Sequence, residues 1–219
     1  MNPSYFISWH SFRLLYATFF RWRVYHAERV PVEGPVILAS NHASFIDPPL
    51  VCAGVRRVIY SLARESLFRN PIAGAILRSW NVVPVDRDGG GAKGLRVILD
   101  KLESGGAILL FPEGTRTSDG QLHPAKAGVG LAIIKSDCPV VPVRLFGTFE
   151  AFGRHQRLPR PRRIAMTYGE PVDFRGLRQE AKTAPKPRLK QIYQEAADQV
   201  MAAIAALEPC RTVRGFPES

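Results

Sequence analysis

Pro35-Val36-Ile37-Leu38-Ala39-Ser40-Asn41-His42-Ala43-Ser44-Phe45-Ile46-Asp47-Pro48 is the stretch from which the rest of the chain can be read. Residues 35–39 make the short apolar run of a buried strand. Just beyond it stand an imidazole and a carboxylate five residues apart. An unperturbed imidazole titrates near neutrality, so His42 can take a proton from a hydroxyl. A carboxylate on its other ring nitrogen would fix its tautomer and orientation. On one continuous helix, residues five apart differ by about 140° and do not meet. His42 and Asp47 are therefore expected to face each other across a turn at a strand end. Asp47 ahead of Pro48 also has a plainer reading, a helix N-cap followed by proline at N1, with His42 an ordinary loop residue.

Working outward, apolar runs at 58–63, 82–85, 107–111, 139–146 and 164–168 alternate with helical patterns from 48 and over 66–78, 94–103 and 127–136. Such alternation predicts a single α/β domain, a mixed and mostly parallel sheet flanked by helices. Sites in such sheets collect in loops beyond the carboxyl ends of the strands, where both His42 and Glu113 fall. Leu189, Ile192, Tyr193, Ala196, Val200, Ile204 and Leu207 form one face of an amphipathic helix expected over 187–207 and packed on the sheet. Residues 211–219 read as a tail.

The 219 residues are 46% hydrophobic and 22% charged, enough for one sizeable core, and carry a formal charge of +11. That excess calls for an anionic partner: nucleic acid, a phospholipid surface or a phosphorylated substrate. Cys52, Cys138 and Cys210 are too few and too scattered for a disulfide framework or a zinc site. Residues 1–30 are set apart as an N-terminal segment. Aromatics crowd residues 4–25 with Arg13, Arg21 and Arg23 among them, a stretch too polar to span a bilayer and lacking a leader-peptide cleavage site. It suits a helix lying in a membrane interface, and equally a helix packed on the core. Residues 154–163 hold five arginines, two prolines and no acid, and read as a basic loop facing anionic lipid. Without interleaved aromatics it offers bases nothing to stack on, so no nucleic acid is expected.

Gly89-Gly90-Gly91-Ala92-Lys93-Gly94 satisfies a dinucleotide fingerprint in letters only, because Asp86-Arg87-Asp88 separates it from the strand. A flexible loop is the preferred reading. No Gly-x-Ser-x-Gly is present, so a nucleophile-elbow hydrolase is unsupported. Phe111-Pro112-Glu113-Gly114-Thr115-Arg116 closes another strand with a glycine that lets backbone approach a ligand, a hydroxyl, and a guanidinium fork suited to phosphate.

The ordered blocks His42-x4-Asp47, Val83-Pro84-Val85-Asp86-Arg87, Phe111 to Arg116, Lys126 with Gly128, and Val141-Pro142-Val143 resemble the glycerolipid acyltransferases, in particular 1-acylglycerol-3-phosphate acyltransferases of bacterial type. The resemblance covers about residues 35–145. It implies that His42 is the general base on an acceptor hydroxyl and that Asp47 orients it. It implies further that Arg87, Glu113, Gly114, Thr115 and Arg116 hold the acceptor's glycerol phosphate, with Lys126 a further anion contact. The implied reaction moves a fatty acyl group from acyl-CoA or acyl-ACP to a lysophospholipid, most simply lysophosphatidic acid. An activated thioester needs neither a metal nor a cofactor. Acyl carrier protein and an anionic membrane surface are the expected partners, and attachment is expected to be peripheral, at the cytoplasmic face. Two alternatives stand beside this: the same chemistry on another lyso-lipid or on glycerol 3-phosphate, and a non-catalytic basic protein that binds membranes or nucleic acid. Trp80-Asn81 departs from the family, which more often places a glycine turn there.

Overall fold

Strands whose residues are apolar at every position form where both faces can be covered. The computed structural model describes residues 3–85 and 92–209. Within them, β1 (Arg23–Tyr25), β2 (Val36–Ser40), β3 (Ile59–Arg64), β4 (Val82–Val85), β5 (Ala107–Leu110), β6 (Val140–Phe146) and β7 (Ala165–Tyr168) form one sheet in the order β1-β7-β6-β2-β5-β3-β4. Neighbours are parallel except β6 and β7, which run antiparallel. The expected mixed, mostly parallel sheet is the one observed. Alternation then divides the core. Val36, Leu38, Ala107 and Leu109 face one side of the sheet, and Ile37, Ala39, Ile108 and Leu110 the other.

The helices are α1 (Pro3–Thr18), α2 (Asp47–Gly54), α3 (Pro71–Ser79), α4 (Ala92–Glu103), α5 (Ala127–Lys135), α6 (Thr148–Phe152), α7 (Arg175–Ala181) and α8 (Lys186–Ala205). The continuous helix expected over 66–78 is broken: a 3-10 turn covers Glu65–Phe68 and α3 starts anew at Pro71. Proline cannot continue a helix but suits its first turn, and the Asn70 side chain caps α3 by accepting from Ile72 and Ala73 at 3.0 Å. The amphipathic tail forms α8, which buries Ile192, Ala196, Val200 and Ile204 against α5 and the sheet. A Cβ on Gly130 would stand 1.7 Å from the Tyr193 carbonyl oxygen, so only glycine permits this approach of α5 to α8.

On the opposite face, α1 presents Tyr5, Trp9, Phe12, Arg13 and Tyr16 inward at helical spacing. Trp9 Nε1 donates to the Val55 carbonyl at 3.0 Å and Arg13 to that of Ala53 at 2.8 Å, tying α1 to the end of α2. Phe6, Ile7, Leu14 and Leu15 point outward and are exposed. α1 thus meets the core-packing expectation on one face and leaves an apolar surface on the other. β1, which follows α1 within residues 1–30, is an edge strand of the main sheet on β7. Residues 211–219 lie outside the described residues. Among the described residues no helix is long and apolar enough to cross a membrane.

Candidate active site

β2 and β5 are adjacent and parallel, so the loops that follow them emerge side by side. The β2 loop carries His42. Asn41 fixes its root by extending the β2–β6 pairing with a side chain: Nδ2 donates to the Leu145 carbonyl at 3.1 Å and Oδ1 accepts from Leu145 N–H at 2.8 Å. His42 then meets Asp47 across a turn, Nδ1 to Oδ2 at 2.9 Å, with Asp47 fully buried. The same carboxylate oxygen accepts Ala43 N–H at 2.6 Å and Ser44 N–H at 2.7 Å. An oxygen already accepting two amides is an acceptor for the ring as well, so Nδ1 donates, and in the neutral imidazole it is Nε2 that carries the lone pair.

This overturns the N-cap reading of Asp47. It is the first residue of α2 and its side chain reaches back into the loop, leaving the helix without a side-chain cap. Pro48 and Pro49, lacking N–H groups, leave α2 with fewer amides in need of one.

The β5 loop clamps the other side of His42. Glu113 Oε1 accepts His42 N–H at 3.1 Å, and Thr117 N–H donates to the His42 carbonyl at 2.8 Å. The His42 ring stacks on Phe111, 3.9 Å between centroids. Glu113, expected among the phosphate ligands, is 4% exposed and turned toward His42 instead. Burial raises its pKa, opposed by the His42 N–H and by His123, and aided by the nearby charge of Asp47. A carboxylate repels phosphate, which gives the physical reason for the difference. Gly114 takes φ +69 in the turn closed by its N–H on the Phe111 carbonyl at 2.9 Å, a conformation suited to glycine.

His42 lies on the wall of a cavity of about 960 Å³ that runs beneath α1. Its far walls are apolar: Tyr5, Trp9 and Phe12 of α1, with Trp80, Ile98 and Leu109. Gly114, Thr115, Arg116 and Lys126, all singled out in the sequence, line the same cavity as His42, so the structure brings them together with it. Arg116 lies over the Phe45 ring at 3.4 Å, and its Nη1 is buried without a partner. Arg87 lies outside the described residues, as do residues 86–91 of the glycine-rich loop. Arg64 and Arg154 also line the cavity, and no Asp or Glu does among the described residues. Read from the sequence, Arg64 had no role and Arg154 fell in a lipid-facing loop; the signal was a charge ending a strand for Arg64 and a charge opening a basic run for Arg154.

Cys52 also lines the cavity, but burial pushes its thiol up to about 12, which withholds the thiolate a covalent acyl carrier would need. Asn81, at the departure from the family pattern, adopts φ 61, so an asparagine makes the left-handed turn a glycine would.

A buried carboxylate fixing the tautomer of an imidazole, beside a basic cavity end and a long apolar one, is an arrangement for taking a proton from a hydroxyl on an amphiphile. The family model described as Acyltransferase matches residues 21–145. The chain belongs to this acyltransferase family. It is 26% identical over 151 residues to the 1-acyl-sn-glycerol-3-phosphate acyltransferase of Bacillus subtilis (strain 168), covering 68% of this chain and 73% of that protein. The Limnanthes alba protein of the same name is 32% identical over 143 residues, 63% of this chain and 50% of that one. The chain therefore spans about three quarters of the bacterial relative and half of the plant one. The crystal structure of the 1-acyl-sn-glycerophosphate (LPA) acyltransferase PlsC from Thermotoga maritima is similar in fold, with TM-score 0.69, 24% identity, and coverage of 94% of this chain and 80% of that one.

Proposed function

We propose that this acyltransferase moves a fatty acyl group from an acyl thioester, acyl-CoA or acyl-ACP, to the free hydroxyl of 1-acylglycerol-3-phosphate, giving phosphatidic acid. The observation that carries the reading is the pairing of Nδ1 of the cavity-lining His42 with buried Asp47 at 2.9 Å. Nε2 takes the hydroxyl proton as the oxygen attacks the thioester carbonyl, and the imidazolium that forms is stabilised by Asp47. The tetrahedral intermediate collapses with loss of the thiolate, to which the proton can return. No acyl-enzyme is needed, because the thioester is already activated.

Arg116, Thr115, the Gly114 backbone and Lys126 hold the acceptor's phosphate; Glu113 is assigned to holding the His42 backbone. The apolar cavity takes hydrocarbon. The outward Phe6, Ile7, Leu14 and Leu15 of α1, with the basic 154–163 loop, favour peripheral attachment to anionic lipid, at the cytoplasmic face where acyl thioesters are found.

The test is thiol release by the purified chain with acyl-CoA or acyl-ACP and a panel of lyso-acceptors, followed by mass spectrometry of the lipid. Phosphatidic acid formed by the wild type and lost in His42→Ala supports the reading. Thiol release that is the same with and without any lyso-acceptor overturns it.

A further inference from the structure

The basic segment beginning at Arg154 is not simply a surface loop, because its first residue, though exposed, also lines the cavity. Ser44, two residues beyond His42, forms an antiparallel bridge with Gly153, and its Oγ donates to the Phe152 carbonyl at 2.6 Å. Phe45 packs on Phe152 at 5.4 Å between centroids and carries the Arg116 guanidinium on its ring. The β2 loop, Arg116 and the backbone on which Arg154 stands are thereby one assembly.

Arg154 lines the same cavity as His42 and Arg116, and it makes no hydrogen bond or ion pair among the described residues. The two guanidinium groups are close enough that Arg154, after burial, is the next cause holding the Arg116 pKa down. Like charges brought together disfavour each other unless an anion lies between them. The charge of Asp47 favours the charged form of Arg116, but its Oδ2 is taken by the His42 loop and Glu113 Oε1 by the His42 amide, and among the described residues neither carboxylate forms an ion pair with either arginine.

We propose that Arg154 is a second phosphate ligand, which with Arg116 selects an acceptor bearing a phosphate monoester over one bearing a phosphodiester. A monoester has two ionisable oxygens and carries about −2 above a second pKa near 6, whereas a diester carries one charge. Two guanidinium groups match the dianion, and a single one suffices for the diester. The proposal rests on the reading of this cavity as an acceptor site.

The experiment uses the full chain with short-chain acceptors soluble as monomers, so that attachment to a surface plays no part. The pair is 1-hexanoylglycerol 3-phosphate and the corresponding phosphoglycerol diester. For Arg154→Ala, the ratio of kcat/KM for monoester over diester should fall about 10-fold, mostly through acceptor KM, with Arg154→Lys restoring part of it. The wild-type rise in monoester kcat/KM across the second phosphate ionisation should flatten in Arg154→Ala, a change that a purely structural residue would not cause. An equal loss on both acceptors, or a rise confined to the donor's KM, overturns the assignment while leaving the acceptor reading intact. If the wild type acylates neither acceptor, the acceptor reading falls and this assignment with it.

Discussion

The two faces of the sheet are built from the same strands, and they have been used for opposite ends. On the α5/α8 side the helices meet at Gly130 with no room for a methyl group, and Ile37, Ile108 and Val140 are sealed beneath them. On the α1/α2 side the cover is a helix held by a few anchored side chains, with a cavity left underneath that continues to Ile98 of α4 and to Lys126 and Val129 at the start of α5. One face specifies the fold by close packing; the other gives up packing for a space that a substrate can enter. Stability and activity should therefore be separable by position.

The largest separation is expected from His42→Ala. Losing the base should cost about 10²–10⁴-fold in kcat while leaving the melting temperature near that of the wild type, since the ring sits on the cavity wall. A folded variant with near wild-type turnover in a thiol-release assay would break the mechanism. Gly130→Ala is its mirror image. Its added methyl must push α5 from α8, an overpacking cost of about 1–3 kcal/mol, less the roughly 1 kcal/mol that alanine returns through helix propensity. Denaturant melts should show the loss, with kcat per folded molecule unchanged; a loss of kcat at full stability would mean the faces are coupled.

Leu14→Ser tests the outer surface of the open face. Leu14 is 66% exposed, so its replacement should spare the melt. Binding to anionic vesicles should weaken by about 1–2 kcal/mol, roughly tenfold in sedimentation, if the side chain enters lipid. Unchanged sedimentation would return α1 to a purely packing role.

The smallest effect concerns Glu113. Burial holds its pKa above the ordinary glutamate value, so the native state binds that proton more tightly than the unfolded chain does. This contribution to stability is present at low pH and is lost as pH rises from the ordinary glutamate range through the raised native value. Glu113→Gln keeps an acceptor for the His42 amide and should remove that slope, a small flattening of stability against pH read from urea melts taken upward from the ordinary glutamate range. An unaltered slope would assign the pH dependence to another group.

What the sequence made legible follows the same division. The central strands were readable because burial on both faces leaves them continuously apolar, and α8 because its inward face repeats at helical spacing. The His42 and Asp47 pairing was readable from residue type and spacing, yet whether Asp47 capped a helix or clamped a loop depended on backbone geometry that two prolines and a turn decide together. Asn70-Pro71 carried the signal for the break before α3, and the apolar pattern running through it concealed the signal. β1 and α6 were missed because they are too short for any period, and α7 because Leu177 and Ala181 are nearly its only inward residues. Glu113 could be placed at a strand end, but its hold on the His42 amide through Oε1 carried no signal in the sequence. Arg154 could be counted in the sequence but not located, since only the bridge from Ser44 to Gly153 brings it to the site.

The strand order has a consequence for how the molecule is made. β2 lies at the middle of the sheet, with Ile37 paired to Ile108 on one side and to Val140 on the other, so neither of its edges is satisfied until chain far downstream has been synthesised. Contacts of such sequence separation bear a loop-closure cost before they return any stability, which makes nucleation slow and leaves apolar strand edges open in the nascent polypeptide. The His42 loop waits as well: its amide partner is Glu113, its carbonyl partner Thr117, and Asn41 has nothing to grip until Leu145 has left the ribosome. The His42 loop thus cannot assemble until β6 is available, and a chain stalled before that point leaves apolar strand edges open as an aggregation hazard.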